Sequence, residues 1–167
     1  VSSGVRDKDL ALLDKLYKKW RPEKVFFLGD LFHSTYNQEW EHFCEVVNTW
    51  QAERVLIKGN HDILKAHHYE QAGLRVEQTV HLSPFLFQHE PLEADETIDA
   101  YVVAGHIHPG VGLIGGGRQK LRLPCFHFGQ KQAILPAFGH FTGLYIIEPE
   151  RKDPVFAIVE GKVMRVQ

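Results

Sequence analysis

The chain has 167 residues, of which 44% are hydrophobic and 24% charged, and its formal net charge is −2. These values are typical of one globular domain, here spanning residues 1–167, and they exclude a protein that holds nucleic acid through a strongly basic surface. Because no apolar run approaches the ~20 residues of a membrane span and no signal peptide is visible, we expect a cytoplasmic protein with no membrane partner.

The first half of the chain predicts alternating helices and strands. Apolar residues at three-and-four spacing indicate a helix from about Arg6 to Trp20, which ends before Pro22. A short apolar run from Lys24 to Leu28 predicts a buried strand. A second helix, from about Gln38 to Trp50, and a second strand, Arg54 to Ile57, follow. This alternation predicts parallel pairing through right-handed crossovers.

Beyond Gly73 the sequence changes to short β-rich runs separated by turn residues, among them Gly115-Gly116-Gly117. The predicted strands are Arg75–Val80, Pro84–Gln88, Ala100–Ala104, Lys120–His127, Phe141–Ile147, Val155–Glu160 and Lys162–Val166. The last two flank Glu160-Gly161-Lys162 and predict a terminal hairpin. The predicted class is therefore α/β (α+β), with two mixed β-sheets packed face to face and helices outside.

Two cysteines, Cys44 and Cys125, lie far apart in sequence and without the spacing of a metal site. Each falls in an apolar stretch. We therefore expect buried free thiols in a reducing compartment.

Histidine is over-represented, with 11 copies, and several of them follow predicted strands. The first motif that follows a predicted strand is Gly29-Asp30. Its glycine allows a sharp turn, and its carboxylate can bridge cations. The alternative for Asp30 is a helix N-cap or an Asx-turn, both common for aspartate after a strand.

The motif Gly59-Asn60-His61-Asp62 is more specific. Asn60 offers a neutral amide oxygen to a metal, and His61 is placed to face a substrate. Asp62 could orient that imidazole and keep it protonated, which suits an acid that protonates a leaving alkoxide. The structural alternative is a tight turn in which Asp62 caps the next helix.

Three further histidines complete the pattern: His89, which follows Phe85-Leu86-Phe87, and the pair His106 and His108. A lone histidine such as His89 is more often a satisfied polar residue than a ligand. His106 and His108 are two residues apart, so on an extended segment both point to the same side. That arrangement predicts chelation of a metal by a loop.

Other histidines have weaker interpretations. His33 follows Asp30 by three residues and is predicted to contact a metal, a substrate or a metal ligand. His67 and His68 lie on a probable short helix and are most simply surface residues. His127 and His140 either line the mouth of a cleft or fill polar positions between aromatic residues.

In this order, these motifs resemble those of the calcineurin-like metallophosphoesterases. The family pattern is Asp-x-His, Gly-Asp-x-x-Asp, Gly-Asn-His-Asp or -Glu, a lone His, and Gly-His-x-His, and four of its five blocks are present here. The segments Gly29–Ser34 and Leu135–Gly139 look like those of the bacterial metallophosphoesterases associated with DNA ligase and helicase genes, which are thought to act in DNA repair.

The resemblance implies a dinuclear centre with the metal ligands Asp30, Asn60, His89, His106 and His108. Asp30 would bridge both metals and His108 would serve the second site, whereas the other three would complete the first. His61 would be the general acid, oriented by Asp62. A metal-activated hydroxide would then attack phosphorus in line with the leaving group.

Two departures from the family pattern matter. His33 stands where the second block usually has aspartate, which is typical of the ligase-associated group. The first block, Asp-x-His, is missing, so we expect a fold that lacks its first strand. The intact protein is expected to bind two divalent ions of Mn²⁺, Fe²⁺ or Zn²⁺, and a chain without that segment to bind one or none tightly.

The resemblance favours a phosphodiesterase or nuclease that acts on DNA, with a DNA ligase and a helicase as partners. The alternatives are a phosphatase acting on phosphomonoesters, nucleotides or phosphoproteins, and an inactive relative that serves as a scaffold. The sequence leaves the substrate, the metal and the oligomeric state open.

Overall fold

The structure, a computed structural model, describes residues 3–93, 96–114, 120–139 and 143–167. Contacts divide the chain into two units: Val1–Thr79 with Phe138–Phe141, and Val80–Ala137 with Thr142–Gln167. The predicted glycine turn at 115–117 and the start of the strand predicted from residue 141 lie outside the described residues.

The first unit alternates helices and strands, as the sequence predicts. Its elements are α1 (Ser3–Trp20), β1 (Lys24–Phe27), α2 (Gln38–Val47), β2 (Glu53–Ile57), α3 (Ala66–Gln71) and β3 (Leu74–Glu77). The strands form a sheet in the order β1-β2-β3, and both pairs are parallel. The parallel pairing is confirmed, and the described part of this sheet is parallel rather than mixed. The ends of β1 and β2 therefore deliver their following loops to the same edge.

Helix α1 is held to the first unit by its apolar stripe. Leu10, Leu13 and Tyr17 pack against a core in which Trp40 and Leu56 are fully buried. The Tyr17 ring also stacks on that of Trp50, with centroids 4.6 Å apart. Part of the three-and-four pattern seen in the sequence therefore faces the core, whereas Leu16 and Trp20 of the same pattern are exposed.

Helix α2 has a defined start and an early end. The Asn37 side chain accepts the backbone N–H groups of Glu39 and Trp40, at 2.9 and 3.2 Å, and so caps the first turn. The helix stops at Val47 and not at Trp50, because the N–H of Trp50 bonds to the Val47 carbonyl in a tighter turn. Trp50 is still buried, which explains why the apolar pattern runs past the helix end.

The second unit is built on the larger sheet. Its strands are β4 (Thr79–Leu82), β5 (Phe85–Gln88), β6 (Tyr101–Ala104), β7 (Pro109–Ile114), β8 (Lys120–Phe128), β9 (Gln132–Ile134), β10 (Tyr145–Ile146), β11 (Val155–Val159) and β12 (Lys162–Arg165). Their order is β10-β7-β8-β9-β6-β5-β4, with β11 pairing β8 and β12. Strands β5, β6 and β9 are parallel neighbours, whereas β8 runs antiparallel to β7, β9 and β11. Among the described residues, an α/β class with two sheets and few helices is confirmed.

Two features of the strands differ from the sequence prediction. The single strand predicted over Arg75–Val80 is wrong: β3 ends at Glu77 and pairs with β2, and β4 begins at Thr79 in the larger sheet. Strands β7 and β9 were not predicted. Strand β7 begins with Pro109-Gly110, residues of low strand propensity, but it has partners on both sides in β8 and β10.

The terminal hairpin is confirmed. Strands β11 and β12 pair antiparallel across Glu160 and Gly161. Both of these residues have positive φ, 48° and 75°, which is what a two-residue type I′ turn requires.

Among the described residues, no helix is both long and apolar enough to cross a bilayer. Both cysteines are free: Cys125 is fully buried, and Cys44 is half-buried. Burial raises the pKa of the Cys125 thiol to about 11 and also raises that of Cys44.

We predict that Cys125 resists alkylation in the folded protein. At pH 8 only about one thiol in a thousand is ionised when its pKa is near 11, and Cys125 is also shielded from the reagent. Iodoacetamide should therefore modify Cys44 first, as peptide mass spectrometry would measure. Equal rates for Cys125 in folded and urea-unfolded protein would contradict this.

Candidate metal centre

The turn after β1 places Asp30 in an unusual backbone conformation. Gly29 and Asp30 have φ of 86° and 53°, so two consecutive residues lie in the left-handed region. Glycine adopts it freely and aspartate at modest cost, and the chain therefore turns sharply as the strand ends. The Asp30 side chain is only 10% exposed.

One buried carboxylate, that of Asp62, joins the loops that follow β1 and β2. Its Oδ2 accepts the backbone N–H groups of Asp30 and Gly59, both at 2.8 Å. Its Oδ1 accepts the N–H of Leu31 at 2.9 Å, and that of Phe32 at 3.4 Å. Asp62 is 2% exposed, so these donors replace the water that the charge would otherwise require. Both loops are thus fixed by one side chain.

A second contact links the same loops in the opposite direction. Asp30 Oδ1 accepts the backbone N–H of His61 at 2.9 Å. Asp30 Oδ2 lies 3.9 Å from His33 Nε2, an ion pair only when that imidazole is protonated. The rings of His33 and His61 have centroids 5.0 Å apart, and both residues are exposed. The first unit therefore presents a carboxylate, Asn60 and two imidazoles at one sheet edge.

Neither Asp30 nor Asp62 caps a helix, which was the alternative that the sequence left open for each of them. The residue that caps α2 is Asn37, and α3 is preceded by Lys65 at its N-cap position. Asp62 accepts main-chain N–H groups with both oxygens, so a role in orienting His61 would act through the backbone.

In the second unit, His89 and His106 form a close pair. His89 follows β5 and is 6% exposed, and its Nε2 lies 2.9 Å from Nδ1 of His106. The Gly105 N–H also donates to the His89 carbonyl at 3.0 Å, which ties the loop after β6 to the end of β5. The parallel pairing of β5 and β6 explains why residues 17 apart in sequence meet here.

The His106-Ile107-His108 segment is not extended, which corrects the sequence prediction. His106 and His108 have φ of 64° and 50°, and the Ile107 N–H donates to the Gly105 carbonyl at 2.8 Å. Left-handed residues on both sides of Ile107 break the two-residue alternation on which the prediction of a shared side depended. His108 is held by its carbonyl, which accepts the Tyr145 N–H at 3.1 Å.

The geometry of the histidine pair fits a bound cation. Two ring nitrogens 2.9 Å apart repel each other when both carry lone pairs, unless a proton or a metal ion lies between or beside them. Because His89 is buried, water is poorly placed to reduce the repulsion between the two lone pairs. Asp30, His89 and His106 are candidate metal ligands, and oxygen together with imidazole nitrogen suits Mn²⁺, Fe²⁺ or Zn²⁺.

Other histidines have contacts of their own. His127 Nε2 lies 2.8 Å from Asp153 Oδ2, and both side chains are largely buried, so His127 occupies a polar position inside the second unit. Nothing in the sequence marks Asp153 as its partner, because the contact depends on β8 pairing with β11. His67 and His68 lie on α3, as predicted, and His140 lies outside the described residues.

Comparison with known proteins identifies the family of the chain. The family model described as calcineurin-like phosphoesterase matches residues 3–134, and the chain belongs to that family. Members of this family are hydrolases that use divalent metals. The chain is also similar in structure to the nuclease MPE of Pseudomonas putida, with a TM-score of 0.83 and 31% identity over 99% of this chain and 81% of that one. No curated protein matches it significantly.

We predict that Asp62→Asn loosens both loops. The amide retains one oxygen and turns an NH₂ group toward N–H donors, so we expect the free energy of unfolding to fall by about 3 kcal/mol. Urea denaturation would measure it. The matched control is Glu45→Gln, since the Glu45 side chain is 78% exposed, and its expected effect is below about 0.5 kcal/mol. Equal losses in the two variants would contradict the role of Asp62.

Proposed function

We propose that the chain is a metal-dependent phosphodiesterase that cleaves nucleic acid. The observation that carries the hydrolytic part is the pair formed by buried His89 and half-buried His106, whose ring nitrogens lie 2.9 Å apart in a member of a phosphoesterase family. The nucleic-acid part is supported by the similarity to a nuclease over 99% of the chain. On the sequence resemblance alone, we extend the proposal to a role in DNA repair, with a DNA ligase and a helicase as partners.

The proposed metal ligands are Asp30, Asn60, His89, His106 and His108. In the intact protein Asp30 would bridge two ions and His108 would serve the second, as the family resemblance implies. When bound, divalent metals supply Lewis-acid chemistry, polarising phosphate oxygens and lowering the pKa of water. The set combines two oxygen ligands with three imidazole nitrogens, which makes Mn²⁺, Fe²⁺ and Zn²⁺ the candidates.

The chain's own residues are proposed to handle the leaving group. His61 is exposed, and its backbone N–H donates to the Asp30 carboxylate, so its main chain is fixed next to Asp30. We propose that it donates a proton to the leaving alkoxide, a contribution of about 10²–10⁴ in rate. Asp62 positions this residue by fixing the backbone at Gly59 and at Asp30.

We predict metal-dependent hydrolysis with a preference for diesters. With Mn²⁺, bis(4-nitrophenyl) phosphate should be hydrolysed faster than 4-nitrophenyl phosphate, and EDTA should abolish both reactions; release of 4-nitrophenolate measures the rates. A preference for the monoester would favour a phosphatase. Hydrolysis that survives complete removal of metal would contradict the proposed chemistry.

Two histidine variants should fail for different reasons. His61→Ala should lower kcat about 10²–10⁴-fold with metal content unchanged, whereas His106→Ala should lose metal as well as activity. Elemental analysis of the purified variants separates the two effects. His42→Ala is the control, because His42 lies exposed on α2 and contacts only Glu45 among the described charged groups. Loss of activity in the control, or none in His61→Ala, would contradict the assignment.

A further inference from the structure

A row of rings, of which Tyr36 and His67 are exposed and His68 is half-buried, lies on the same side of the first sheet's strands as the loops that carry the proposed catalytic residues. Tyr36 is in the same loop as Asp30, between β1 and α2, and His68 follows the Asn60-His61 loop on α3. Because β1 and β2 are parallel, both loops leave the same edge of the sheet, the edge at which ligands bind in open α/β sheets.

The rings of Tyr36 and His68 are stacked, and that of His67 is tilted by 49° to that of His68. The Tyr36 ring lies against His68 with centroids 4.4 Å apart and planes 25° apart, and His67 continues the row with its centroid 3.9 Å from that of His68. Tyr36 is 44% exposed. Because His68 covers one face of the ring, a ligand that stacks on Tyr36 would use the opposite face.

Hydrogen bonds hold the rings in place. The Tyr36 hydroxyl donates to Glu41 Oε1 at 2.8 Å, and this bond raises the pKa of Tyr36, so the phenol stays neutral at ordinary pH. His68 Nδ1 lies 3.3 Å from Gln71 Oε1. A ring that is already fixed loses little rotamer entropy when a ligand stacks on it, which is an advantage for binding.

We propose that Tyr36, backed by His68, is a stacking site for an unpaired base of a single-stranded nucleic acid. This inference rests on the proposed function and adds a subsite to it. A planar aromatic ligand matches the free ring face, and a base in a duplex is excluded because its neighbours already cover both of its faces. Lys58 and Lys65 are exposed on the loop between β2 and α3, where they supply positive charge for phosphates.

The test compares binding of two labelled oligonucleotides by fluorescence anisotropy in EDTA, so that no cleavage occurs. One is a strand of about ten thymidines, and the other has the same backbone without bases. The wild type should bind the thymidine strand about tenfold more tightly than the abasic one. Tyr36→Ala and His68→Ala should reduce this ratio toward one, and Tyr36→Phe should keep most of it because the ring remains.

Trp20→Ala is the matched control. Trp20 is 70% exposed at the end of α1, just before β1, and so belongs to the opposite edge of the sheet. It should leave the ratio unchanged, and all variants should show the circular dichroism of the wild type. A wild type without base preference, or a Tyr36→Ala variant that keeps it, overturns the stacking site even if diesters are hydrolysed. A base preference that depends on Tyr36 in a protein without hydrolytic activity supports the stacking site and removes the proposed function.

Discussion

The first unit depends on the placement of a single buried charge. Asp62 is 2% exposed, and its two oxygens accept N–H groups from Gly59, Asp30 and Leu31. A carboxylate buried without such donors would cost several kcal/mol. The loop after β1, which supplies donors, and the loop that contains Asp62 therefore stabilise each other. The positions of Asp30 and His61 follow from this constraint. The motif Gly-Asn-His-Asp is therefore a structural unit, in addition to the roles proposed for Asn60 and His61.

In the second unit, strand pairing and a backbone hydrogen bond, rather than a buried carboxylate, fix the loops that carry the histidines. Parallel pairing of β5 with β6 brings His89 and His106 together, and the bond from the Gly105 N–H to the His89 carbonyl fixes their loops. Left-handed φ values at His106 and His108 set the course of the chain there. Non-glycine residues in this region cost on the order of 1 kcal/mol or more each, and such strain is often found at functional sites. Loops fixed in this way suit a metal site, which needs its ligands placed before the ion arrives.

The sequence predicted those features that depend on local pattern. Apolar runs that end at Gly29 and Gly59 indicated parallel strands, although β1 is only half-buried and not buried as predicted, and Glu160-Gly161 indicated the turn of the terminal hairpin. Features that depend on distant partners were not predicted. Strand β7 is stabilised by neighbours on both sides despite Pro109, and the partner of His127 is Asp153, 26 residues away. Which histidine nitrogens meet is also set by backbone angles that spacing alone does not specify.

The central proposal is that the carboxylate of Asp30, the amide of Asn60 and the imidazoles of His89 and His106 are ligands of one metal ion. Diffraction from crystals grown with Mn²⁺, recorded near the manganese absorption edge, tests it most directly, because the anomalous signal locates the ion independently of the protein. The account predicts a peak within about 2.0–2.3 Å of a ligand atom from each of these side chains. A fully occupied ion held by other residues, with Asp30 and His106 remote from it, would contradict the account.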